Sequence, residues 1–452
     1  MRSISLLLIA LFISVTGLNA TMISVNWDGS GDYITIQEGI DAAIDGDTVL
    51  VQPGTYVENI NYNGKNITVA SLFLTTQDTS YISQTVIDAI QGLNAVTFMN
   101  EEDNSSVFIG FTVKNVHNPY PYPVFGIKCS SASPSITNNF FHNNDGAIGC
   151  LYSSPNIIDN YFFDNGCGIC IVGGSCYIMN NRISNNGEGI YLNSSLGMII
   201  NNDISKNEAG IRGEFYNDEI LNNTIAYNIG VYGYGIECSH CSPYVANNII
   251  WGNSYNFQFF GEQSNPIISY CCIEGGFPSQ GINAGGNIYD YPLFADTLNG
   301  DFHLTWTNYP MQDSTKSPCI DAGNPDTTGL NLPEIDLDGN PRIVNGRIDM
   351  GAYEWQYRQN QSTNNVLFQN YPNPFNPDII GTTISYSLPK ASNIKIMIYN
   401  IKGQLVETLV DAHKPAGYHA VELNAKDMSS GIYFYKLTTK DKTFIKKMIL
   451  MR

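Results

Sequence analysis

The sequence predicts an all-β solenoid built from coils of about 21 residues, and three observations carry that prediction. The first is a repeat. Six segments starting near residues 135, 156, 177, 198, 219 and 244 read aliphatic, Asn pair (Asp-Asn in the second), apolar, Asn. Their markers, Asn139, Asn160, Asn181, Asn202, Asn223 and Asn248, are spaced by 21, 21, 21, 21 and 25 residues, a period too short for a domain and suited to one solenoid coil. The second observation is register. Ile136, Ile157, Ile178, Ile199, Ile220 and Val245 stand three residues before the markers, Phe141, Phe162, Ile183, Ile204, Ile225 and Ile250 two after, and Ile148, Ile169, Ile190 and Ile211 nine after. The last column extends back to Ile127 and, past a four-residue insertion, forward to Ile236. These columns are expected to face one core. The third is punctuation: the apolar runs are short and alternate, and Asn and Gly separate them, residues that tolerate the left-handed backbone of sharp corners.

About three short strands per coil follow, each pairing with its equivalent about 4.8 Å along the axis, so that the marker amides stack as a hydrogen-bonded ladder. A second column, Asn144, Asn165, Asn186, Asn207, Asn228 and Asn253, marks another corner. On these columns the chain resembles the right-handed parallel β-helix proteins, the pectate-lyase-like superfamily, over roughly residues 29–310.

Read in order, the chain opens with Arg2, an apolar run over 4–15 and the small or polar residues Gly17, Asn19 and Ala20, the layout of a signal peptide at 1–20. The run is too short to span a membrane comfortably and no other approaches the length, so a transmembrane segment is not expected. The β-helix is expected over 21–355. In residues 31–44, Thr35 and Glu38 form a capping-box pattern while Ile36, Ile40 and Ile44 share a helical face, which predicts a short helix that caps the first coil. Gly46 stops it, 48–52 is a strand, and Pro53-Gly54-Thr55-Tyr56 is expected to turn. This entry string resembles that of many extracellular β-helix proteins, pectin-modifying enzymes among them. One early coil is enlarged by about seven residues around 118–123, which reads first as a neutral surface insertion and alternatively as a loop that walls a groove.

Residues 293–355 resemble a closing segment, expected to seal the last coil. Asp336, Asp338 and Asn340 suggest oxygen ligands for Ca, yet Gly339 stands fourth where a hand-type loop needs its glycine sixth; a polar turn is the competing reading. After a polar linker at 356–365 the composition changes. Strand-like runs at 382–388, 393–399, 405–409, 417–423 and 431–438, separated by turn residues, predict a small immunoglobulin-like β-sandwich over 366–452. The strings NYPNPFNP, IYNIKGQLVETLVD, PAGYH, SSGIYFYKL and KKMIL resemble the C-terminal sorting domain of type IX secretion substrates. That resemblance implies export to the cell surface and a partner in the outer-membrane translocon.

Charge is uneven. Eleven of 22 Lys and Arg but six of 41 acids lie after residue 365, so the last 87 residues carry +5 and the rest −24. A body that acidic repels phosphate backbones, which argues against nucleic acid. Of ten Cys, Cys129, Cys150 and Cys238 share an inward column with Ile171, Leu192 and Gly213, and are expected as buried thiols or an occasional bridge between neighbouring coils. The CxxC pairs Cys167/Cys170 and Cys238/Cys241 lack the second matched pair of a zinc site.

Two outward columns carry chemistry. One residue past the marker stand Phe140, Tyr161, Arg182, Asp203, Thr224 and Ile249; ten past it, Gly149, Cys170, Tyr191, Arg212 and, after the insertion, Glu237. Tyr161, Arg182 and Asp203, and likewise Tyr191, Arg212 and Glu237, set a ring, a guanidinium and a carboxylate on consecutive coils. These six are the expected substrate-binding residues for an extracellular polysaccharide or surface polymer. A polysaccharide lyase acting on uronates is an alternative, with Arg182, Lys206, Arg212 and His142 as almost the only bases on the regular coils. No complete catalytic motif is present, and an adhesin or structural surface protein is the other alternative.

Overall fold

A computed structural model describes residues 20–118, 123–260, 264–309, 311–330, 332–344, 346–356, 366–370, 372–377, 381–388, 390–414, 417–440 and 442–452. The expected signal peptide lies outside the described residues except for Ala20, as do the linker beyond Gln356 and most of the loop at 118–123.

Short alternating runs broken by Asn become three parallel sheets of twelve, ten and nine strands. Each regular coil visits them in turn, as in Ser135–Thr137 on the first, Phe140–His142 on the second and Gly146–Leu151 on the third. Register follows the repeat: Ile136 pairs with Ile157, Phe141 with Phe162 and Ile148 with Ile169. All three predicted apolar columns are buried in one continuous core, where the Phe141 and Phe162 rings stack at 5.0 Å.

The corners explain the Asn code. Asn138, Asp159, Asn180, Asn201, Asn222 and Asn247, each just before a marker, adopt φ between 52° and 59°, the left-handed turn from first to second sheet. The marker side chains then point inward and pass bonds from coil to coil, Nδ2 to Oδ1 of the next, at 2.9–3.1 Å. A second ladder from Asn144 to Asn253 runs at 2.9–3.0 Å. Each marker amide also donates to backbone carbonyls, as Asn202 does to Ile178 O and Ile200 O, so the marker side chains are buried with their polar atoms paired.

The capping helix spans Ile36–Ala42, and the Thr35/Glu38 capping box forms. Ile36 and Ile40 enter the core, but Ile44 lies past the helix end and is exposed, because Ala43 is already extended. Gly54–Tyr56 is the first strand of the second sheet rather than a turn, since it finds a parallel partner in Thr85–Ile87. The in-register Cys129 and Cys150 are buried free thiols, the first of the two states expected for that column, whereas Cys167 and Cys170 form a disulfide within one coil rather than between neighbouring coils.

The C-terminal unit pairs a three-stranded and a four-stranded antiparallel sheet around its own core. Five of its strands answer the predicted runs. Two do not: Val366–Leu367 is very short, and Thr443–Leu450 was hidden because Lys446 and Lys447 interrupt its alternation. Among the described residues no helix is long and apolar enough to cross a membrane.

Candidate functional site

The segment 293–355 does not simply seal the last coil; it runs back along the outward face of the second sheet. Ile249, Cys272, Phe302, Trp306, Met350 and Tyr353 share a buried cluster there. Polar contacts fix the path: Gly351 N donates to Asn247 O at 2.7 Å, Ala352 N to Thr224 Oγ1 at 3.0 Å, and Tyr353 OH to Asp203 Oδ2 at 2.6 Å. The outward column at Asp203, Thr224 and Ile249 is therefore buried, a correction to the solvent-facing surface the repeat implied. Burial raises the Asp203 carboxyl pKa, against the opposing pull of Ser205, Tyr353 and Arg182.

Where this cover ends, a cleft of about 1530 Å³ opens. Its floor is Asn138, Asp159, Tyr161, Asn180 and Arg182, from the second sheet and its corner. One wall is the returning segment, where Trp306, Tyr309 and Trp355 meet with ring centroids 4.7–5.3 Å apart. The opposite wall is Phe368, Gln369, Asn370 and residues 372–374 of the C-terminal unit. A chain of charged bonds lines the cleft. Arg182 Nη2 donates to Asp338 Oδ1 at 2.6 Å, Asp338 Oδ2 meets His303 Nε2 at 2.6 Å, and His303 Nδ1 meets Asp301 Oδ1 at 2.5 Å.

Burial works against a charged His303, but Asp338 and Asp301 outweigh it and push its pKa up to about 10 from 6.5. A folded value above the unfolded one means that the contribution is fully present below about pH 6.5 and is lost as pH rises through about 10. The gap in Tm between wild type and His303→Gln, read by circular dichroism, is accordingly widest near about pH 6 and narrows by about pH 10.5. A gap that stays constant, or widens with pH, contradicts a protonated bridge.

The second predicted set lies on the third sheet, apart from the cleft. Tyr191, Arg212 and the position of Glu237 are stacked on consecutive strands, and Arg212 is held by both Glu188 and Glu237 with the Tyr232 ring 5.2 Å away. Tyr232 belongs to the four-residue insertion and is half exposed, with Tyr255 on the next coil. Burial raises the Glu237 pKa while Arg212 opposes it.

The four bases considered for elimination do not converge. Arg182 and Arg212 are paired with carboxylates on different sheets. Lys206 donates to Leu298 O at 2.7 Å, and burial lowers its pKa. His142 stacks on Phe163, and burial, with Lys114 beside it, pushes its pKa down to about 4.

The loop considered for Ca is a polar turn. Both Asp336 oxygens accept N–H bonds, from Asp338 and Asn340 on one side and from Glu354 and the Asn340 amide on the other, at 2.8–3.2 Å. Trp306, Tyr309, Trp355, Asp301 and His303 were absent from the predicted set. The density of aromatics in FHLTWTNY and YEW was the only available signal, and no period ties it to the coils.

Residues 76–270 match the family model described as periplasmic copper-binding protein (NosD), and residues 369–451 match the secretion system C-terminal sorting domain. No curated protein matches the chain. Among solved structures, PorZ, a surface component of the type-IX secretion system of Porphyromonas gingivalis, is 19% identical over 24% of this chain and 14% of its own length. Its TM-score of 0.15 is too low to bear on fold or function. The coils, the ladders and the two matched models together make this chain an exported, secreted or cell-surface, right-handed parallel β-helix protein that carries a type IX sorting domain at its C-terminus.

Proposed function

We propose that this protein binds a polysaccharide at the cell surface, and that the cleft beside Tyr161 and Arg182 is where the polymer lies. On this reading residues 1–20 are removed at export, 21–355 form the binding body, 356–365 link it to the rest, and 366–452 engage the type IX machinery.

One observation carries the reading. The Trp306, Tyr309 and Trp355 rings adjoin the Arg182–Asp338–His303–Asp301 chain in a single open cleft. Sugar rings present C–H faces that pack on aromatics and hydroxyls that bond to carboxylates and amides, so both halves of the chemistry are supplied. Because Arg182 is already paired with Asp338, and Arg212 with Glu188 and Glu237, a neutral glycan suits these surfaces better than a uronate polymer. Copper, which the NosD family description names, has no part in the reading. Among the described residues no group of three or more His, Cys, Asp or Glu is arranged to hold a metal, and Cys167 and Cys170 are bridged.

Retention on immobilised polysaccharides, neutral xylan and β-glucan beside acidic polygalacturonate, tests this. Trp355→Ala is expected to weaken retention on a neutral polymer about tenfold, or ~1.4 kcal/mol, while Arg212→Ala leaves it unchanged. The reverse pattern moves the site to the third sheet. Retention on none of a broad panel removes glycan binding and leaves an adhesin or structural role.

A further inference from the structure

The outward strip of the second sheet beyond the cleft has an occupant of its own. Phe140 and Phe163 there share a buried cluster with Leu50, Ala70, Phe73 and Ile82 of the β-helix, and with Ile449 and Met451 of the sorting domain. Met451 arrives together with Phe375, whose carbonyl accepts from Met451 N at 2.9 Å. Two polar contacts also join the sorting domain to the rest of the chain: Lys447 pairs with Asp78 on the early coils, and Asn299 Nδ2 of the closing segment donates to Glu422 Oε1 at 2.8 Å. The seat and the cleft adjoin, since Tyr161, Pro372 and Pro374 line both and Phe140 and Ile82 of the shared cluster also line the cleft. Tyr161 lines the cleft floor and also a small gap closed by Phe163, Pro372, Pro374, Phe375 and Met451.

We propose that the outward face of the second sheet is a docking surface for the chain's own sorting domain, which shields Tyr161 and narrows the cleft until it undocks. The consequence for ligand access rests on the glycan reading above; the docking itself does not. Two features make this seat releasable. The sorting domain keeps a separate core, so leaving does not unfold it. Among the described residues it contributes Ile449 and Met451 to the shared cluster, with Pro372, Pro374 and Phe375 beside them, in keeping with the modest area of interfaces between domains that separate. The seat is apolar at its centre with an ion pair at its edge, so reversing that charge loosens it without touching either core.

The experiment uses the full chain and hydroxyl-radical footprinting read by mass spectrometry at Tyr161 and Phe163, with the exposed Trp27 as internal reference. Asp78→Lys sets two cations face to face and leaves the sorting domain sequence intact. Oxidation at Tyr161 and Phe163 should rise at least about threefold over wild type, and Asp78→Lys/Lys447→Glu should restore protection. Unchanged protection in Asp78→Lys, or in the stronger Lys447→Glu/Met451→Asp variant if circular dichroism shows it folded, overturns the docking surface. The same proteins are then passed over xylan and polygalacturonate. Higher retention of the deprotected variants supports shielding of the polymer site. Equal, non-zero retention despite lost protection overturns that shielding. Lost protection without retention by either variant on any panel polymer instead rejects the glycan reading and leaves the docking surface standing.

Discussion

Ile190→Asp is expected to lower the unfolding free energy by about 3 kcal/mol or more, the largest effect of any single change considered for the β-helix. Ile190 lies on the strand Glu188–Ser195, fully buried, paired in register with Ile169 before it and Ile211 after it. A carboxylate there enters the continuous apolar core, so it must stay charged without a partner or take up a proton at a cost. In a solenoid each coil leans on the two beside it, and the damage spreads to both. Thermal and urea unfolding followed by circular dichroism read the loss; an unchanged midpoint would mean that this column does not face the core.

Asn202→Ala should cost a similar amount for a different reason. The Asn202 amide donates to Ile178 O and Ile200 O at 3.0 Å and to Asn223 Oδ1 at 2.9 Å, while its oxygen accepts from Asn181 N at 2.9 Å and Asn181 Nδ2 at 3.0 Å. Truncation leaves several of these groups unpaired in a dry corner, each worth about 1–3 kcal/mol when fully buried, and about 3 kcal/mol in total after partial relaxation. Alanine at Asn193, half-buried on the third sheet and outside either ladder, is the control and should shift the urea midpoint little. Equal midpoints for the two variants would show that the ladder only fills space.

The coils were legible in the sequence because their determinants are local and repeated. Asn138 and Asn139, for example, fix one corner by a left-handed turn and an inward amide, and the same pair recurs 21 residues later with Asp159 and Asn160. A period of that kind states the inward columns and the strand register at once. It also states which residues point away from the core, and Tyr161, Arg182 and Asp203 do so. The sorting domain was legible for a related reason, since strong alternation marks five of its strands, and it failed at Lys446 and Lys447 where charge breaks the pattern on a strand whose Met448, Ile449 and Leu450 are nonetheless buried.

What lies on top of the outward face was decided by the tertiary structure alone. Asp203 is buried by Tyr353, 150 residues further on, and Arg182 is neutralised by Asp338, 156 residues further on. The covering segment has no repeat to set its register against the coils, and its course depends on single contacts such as Gly351 with Asn247. Periodicity reports which way a side chain leaves its own coil. Whether it then meets water, a carboxylate or another part of the chain depends on where a non-repeating segment comes to rest, and packing and hydrogen bonding across that distance determine it.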